Sequence, residues 1–172
     1  GQPQVPLLLV RAGDLRAAYD KAAAASPGVK AVIPVGEAWS RAMQTGVADP
    51  NPYDGIEAGK LNLWTYDHYH ASTHGSYLEA LVVFGSLTGR DPRSLGENEC
   101  SGFELGLPRT EVRALQQVAF DQLAAAVARA VVNYLDGAAR DPTGGVLGAA
   151  GMSAYLADSP EGPGRWLGAG AM

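Results

Sequence analysis

All three histidines of the 172-residue chain, His68, His70 and His74, fall in one short stretch that also holds Asp67. Histidine is the side chain whose ordinary pKa lies nearest neutrality, and a neighbouring carboxylate can fix which ring nitrogen carries the proton. Asp67 and His70 stand three residues apart. At that spacing a turn can bring the carboxylate to the Nδ1–H of His70 and leave Nε2 free to take a proton from a hydroxyl. A second chemistry competes. His70 and His74, four apart, could share one helical face and bind a metal, with His68 or Asp67 completing the ligand set. The bland alternative is a set of surface histidines on a loop. Trp64, Tyr66 and Tyr69 flank the cluster and are candidates to line a pocket beside His70, or to pack the loop onto the expected sheet. Glu37 and Trp39 are further candidates, because they follow an apolar run at a position where α/β folds place ligands.

These residues need elements to position them. Val5 to Val10 (VPLLLV) and Lys30 to Val35 (KAVIPV) are short apolar runs that read as buried strands, and Leu61 to Tyr66 (LNLWTY) is short and semi-alternating and delivers the chain into Asp67. Between the first two, Asp14 to Ala25 carries Leu15, Ala18, Tyr19 and Ala22 at helical spacing. Strand, helix, strand implies a parallel sheet. Helices are also expected from Glu37 to Thr45, from Gly75 to Gly89 with Gly89 closing it, and from Pro108 or Thr110 to Gly137. Ser72 is placed to cap the helix after the histidines.

Composition narrows the classes. The hydrophobic fraction of 47% suits a globular domain. A net charge of −5 argues against unspecific nucleic-acid binding, which rests on lysine and arginine meeting phosphates. No apolar run is long enough to span a bilayer. Cys100 is the single cysteine, which excludes an internal disulfide, and it reads as an incidental or buried thiol rather than a nucleophile. The expected organisation is one domain over 1–137 and a Gly/Ala/Pro-rich tail over 138–172. The first residues do not read as a signal peptide, and the opening glycine suggests a chain that begins inside a longer protein. The compartment is therefore open, with a secreted or periplasmic parent protein as one expectation.

The stretch from Val29 to Gly96 resembles the C-terminal region of SGNH (GDSL-type) serine hydrolases. The resemblance rests on VIPVGEAWSRAM, NPYDGI and LWTYDHYHASTHGSYLEALVVFGSLTGRDPRSLG. It is carried above all by an Asp-x-x-His block, here Asp67 and His70, followed by a helix. It implies an α/β fold, a three-layer α/β/α sandwich with a flavodoxin-like parallel sheet, incomplete on its N-terminal side. It also implies a carboxylic-ester hydrolase with His70 as base and Asp67 as its orienting carboxylate. Such a site needs no metal or organic cofactor. Its substrate would be a small acyl ester, for example one carried on a carbohydrate. The family's Gly-Asp-Ser block has no counterpart, since Gly13-Asp14 is followed by Leu15, so a chain without its nucleophile is expected to be feeble alone. A non-catalytic α/β module pairing with another chain is the alternative reading. An incomplete sheet would leave an edge open to homo-oligomerisation.

Overall fold

The computed structural model describes the backbone of residues 4–29 and 31–140. The elements are five helices and one 3₁₀ turn: α1 (Gln4–Ala24), α2 (Val35–Gln44), α3 (Thr73–Thr88), the 3₁₀ turn (Pro92–Leu95), α4 (Cys100–Glu104) and α5 (Arg109–Arg140). Among the described residues there is no β-strand. The extended backbone makes only two isolated bridges, Ala48 with Leu61 and Trp64 with Ala71. This corrects the expected three-layer α/β/α sandwich. Without a parallel sheet, the resemblance to SGNH hydrolases does not extend to the fold, and the esterase reading loses the scaffold on which that chemistry is built. The sheet edge proposed for oligomerisation disappears with the sheet, as does the argument for an acyl-ester substrate. The α/β pairing module falls for the same reason.

Each expected strand fails for a local reason. Val5–Val10 lies inside α1. Leucine and the surrounding alanines favour helix, and an apolar run alone cannot distinguish a buried strand from a buried helix. Pro6 sits in the first helical turn, where backbone N–H groups have no partner within the helix, so its missing donor costs nothing there. Residues 31–34 are irregular, and Pro34 delivers the chain straight into α2. In the semi-alternating stretch Leu61–Tyr66 only Leu61 and Trp64 form bridges, each an isolated one, and Tyr66 already belongs to the following turn.

The chain divides into two units, 1–123 and 124–172. The first is built on α3. Tyr77, Leu78, Leu81 and Val82 are buried, and they pack with Ala38 and Ala42 of α2 and with Val112, Leu115, Val118, Ala119 and Leu123 of α5. Small residues let elements meet closely. A Cβ on Gly85 would collide with Leu123, and one on Gly75 would collide with the Leu63 carbonyl and the Trp39 ring. The caps are strong ones. Ser72 Oγ accepts from the Gly75 N–H at 3.2 Å and donates to the Asn62 carbonyl at 2.6 Å. Gly89, at φ 68°, closes α3 in the left-handed region.

Several buried polar groups are paired across elements. Gln122 accepts from Arg41 Nε at 2.9 Å, and Gln116 donates to the Gly96 carbonyl at 2.9 Å. Tyr77 donates to Glu99 at 2.9 Å, and Glu99 in turn caps α4 through the Ser101 and Gly102 N–H groups. Of the second unit, α5 is described as far as Arg140, with Val127, Val131 and Val132 partly exposed. Most of the expected tail, 141–172, lies outside the described residues.

Candidate functional site

The residues between Trp64 and Ala71 form a tight turn with Asp67 at its centre. The bridge between Trp64 and Ala71 closes its base, and the Thr65 N–H donates to the His70 carbonyl at 2.8 Å. Inside, Asp67 Oδ1 accepts from the N–H groups of Tyr69 and His70, both at 3.0 Å, and from the Thr65 hydroxyl. Its other oxygen, Oδ2, lies 2.6 Å from His70 Nδ1. The Thr65 hydroxyl, the two backbone donors and the imidazole together hold the Asp67 carboxyl far below the usual carboxylate range. The carboxylate therefore does two things. It organises the turn, and it fixes His70 with Nδ1 engaged and Nε2 open. The His70 side chain is 70% exposed, so the pair sits in water rather than in an enclosed pocket.

The three histidines diverge. His70 is held by Asp67. His74, in the first turn of α3, has Nε2 2.7 Å from Glu111 Oε2 of α5. His68 turns under the loop and packs against Tyr53, with ring centroids 4.9 Å apart. Among the described residues no three His, Cys, Asp or Glu side chains converge to hold a metal, which overturns the metal alternative.

His68 carries the unusual backbone. Its φ is 55°, the one non-glycine residue in the left-handed region among those described. Such a residue costs of order 1 kcal/mol and persists only where its surroundings impose it. Here the hydrogen bonds to Asp67 impose it, together with the His68 N–H to the Thr65 carbonyl at 3.0 Å.

His68 faces a cleft of about 1130 Å³ bounded by α1, α2 and the loops. One wall is the face of α1 bearing Leu15 and Tyr19, the residues whose helical spacing marks an apolar stripe. They are 60% and 62% exposed, so the stripe lines the cleft instead of a core. The opposite wall is α2, with Glu37, Trp39 and Met43, and the loops add Tyr53, Trp64, His68 and Tyr69. Trp39 and Trp64 meet edge to face at 4.7 Å, and Trp39 is seated on Gly75. Arg16 of α1 donates to Glu37 across the cleft and to Asp20 at 2.8 Å. The indole Nε1 atoms of Trp39 and Trp64 and Nδ1 of His68 are shielded from solvent with no hydrogen-bond partner among the described residues.

Of the residues singled out from sequence, Glu37, Trp39, Trp64 and Tyr69 come together along this cleft. Asp67 and His70 meet each other on the rim turn. Tyr66 stands apart, 94% exposed. Sequence reasoning did not select Arg11, Leu15, Arg16, Tyr19 and Tyr53 for the site, and it considered His68 only as a metal ligand. The helical stripe of Leu15 and Tyr19 was a usable signal. The approach of Tyr53 from the loop before it was not, because only the folded turn brings it to His68. Cys100, expected to be incidental or buried, is exposed on α4 beside Glu104. Among the described residues no helix is long and apolar enough to cross a membrane. Comparison of the chain with protein-family models, curated proteins and solved structures finds no match in any of the three.

Proposed function

We propose that the chain is a binding module that takes a small ring-bearing organic molecule into the cleft between α1 and α2. The observation that carries this reading is the exposed apolar face of α1. Leu15 and Tyr19 line, together with Trp39 and Met43, a half-open space of about 1130 Å³, ample for a small organic ligand. Apolar side chains lining an open cleft gain about 25 cal/mol for each Å² that a ligand covers. Aromatic walls favour flat partners, which stack on or edge into them. In this reading Asp67 and His70 are positioning residues. They fold the turn that aims His68 and Tyr69 at the cleft.

The test is a titration followed by two-dimensional NMR, using a set of neutral bicyclic ring compounds. Binding should move the resonances of Tyr19, Trp39, Trp64 and His68 as one group, and Tyr19→Ser should weaken it several-fold while circular dichroism stays unchanged. Shifts scattered over the surface, or affinity indifferent to Tyr19→Ser, would remove the reading.

A further inference from the structure

The cleft's chemistry is lopsided, and this rests on the reading of the cleft as a ligand site. Its charged lining residues among those described are Arg11, Arg16 and Glu37. Arg16 is satisfied by Glu37 across the cleft and by Asp20 along α1. Arg11 has no acidic partner among the described residues. Among the described residues Arg11 is thus an uncompensated cation on the cleft, in a chain whose net charge is −5. Its unpartnered polar atoms lean the same way. The two indole nitrogens of Trp39 and Trp64 can only donate, and His68 Nδ1 can donate in one tautomer. Glu37, the carboxylate of the cleft among the described residues, is already engaged with Arg16.

We propose that the occupant is a ring-bearing carboxylate, with its ring between the α1 face and the tryptophans and its carboxylate on Arg11. A guanidinium presents paired N–H donors that match the two oxygens of a carboxylate, and the contact is stronger than a neutral hydrogen bond. The indole N–H groups are shielded from solvent without a partner among the described residues, and a buried donor without an acceptor is costly. An acceptor that enters as an indole rotates relieves that cost, so binding and a change in the tryptophan environment go together.

The experiment compares naphthalene-2-carboxylate with naphthalene-2-carboxamide by calorimetry on the full chain, at low and at high salt. The two probes share ring and shape and differ in charge. The carboxylate should bind at least tenfold more tightly. The advantage should shrink at high salt, vanish in Arg11→Gln and return in part in Arg11→Lys. Arg11 is an exposed helix residue, and circular dichroism of both variants checks the fold. Equal affinity for the two probes, both mapping to the cleft, would overturn the carboxylate assignment and leave the cleft reading intact. So would a carboxylate preference that survives in Arg11→Gln. Binding of neither probe would overturn both.

Discussion

Gly75→Ala tests the junction where the fold meets the cleft. Gly75 lies in the first turn of α3, and the space a Cβ would occupy is taken by the Leu63 carbonyl oxygen and by Trp39, whose ring carbons would stand 2.6 and 2.8 Å away. Two effects oppose each other. Alanine gains about 1 kcal/mol over glycine inside a helix. Overpacking a filled site costs about 1–3 kcal/mol. The collision should win, because the nearest atom is backbone. It cannot swing aside as a flexible side chain can, and its segment is fixed by the Ser72 N–H to Leu63 carbonyl bond at 2.9 Å. A net loss of about 1–2 kcal/mol is expected, or roughly 2–8 °C in the thermal midpoint at this chain length. Tryptophan emission should shift as well, since Trp39 must move. Gly13→Ala is the control. It lies in α1 with nothing within 4 Å of the new Cβ, and it should stabilise by up to about 1 kcal/mol. Thermal unfolding followed by circular dichroism reads both. A Gly75→Ala protein as stable as the parent would refute the packing assigned to Trp39 and Leu63.

Three further outcomes follow from the polar groups. The folded Asp67 carboxyl is depressed, so its contribution to the turn is complete above the ordinary carboxylate pKa and is lost only as pH falls through its lower folded value. Carbon-detected NMR of the side chain should therefore show no Asp67 titration step between pH 5 and pH 3. Burial and the neighbouring Glu99 push the Tyr77 phenol up, although Gln116 opposes them. Its contribution is complete below the ordinary tyrosine pKa of about 10 and falls as pH rises beyond it, and ultraviolet titration should find one tyrosine ionising late. Tyr77→Phe strips Glu99 and Gln116 of a shared partner and should cost about 1–3 kcal/mol in denaturant unfolding. The Cys100 thiol is pushed up by its hydrogen bond to Glu104 at 3.4 Å, so it holds less thiolate than a free cysteine. Glu104→Gln should speed its reaction with a disulfide reagent at pH 8, and an unchanged rate would refute the contact.

What the sequence disclosed was local, and what it hid was tertiary. Ser72 as a cap, Gly89 as a stop and the helices around them depend on neighbours in the chain, and the structure has them all. The Asp67–His70 contact is equally local and is present at 2.6 Å. The apolar runs misled because VPLLLV satisfies a strand and a helix alike, and only the elements it meets decide between them. The Asp-x-x-His block misled in a different way. Three residues of spacing describe a turn as well as they describe a base and its orienting partner, and here the carboxylate spends two of its bonds on backbone N–H groups. In the sequence Glu37 and Trp39 stand out as residues just after the C-terminal end of an expected strand. They reach the cleft as residues of the first turns of α2. The cleft itself was invisible, because it exists only where α1 lies alongside α2.

The left-handed backbone of His68 sets stability against binding. A glycine there would adopt the same φ without steric cost and should make the turn more robust, while removing the imidazole that reaches the cleft. A library of variants selected for heat resistance alone should therefore drift away from histidine at this position, and one selected for ligand retention should keep it. The two selections would diverge at a residue whose conformation is its least comfortable feature, as stability and activity tend to do where a chain is strained for a purpose.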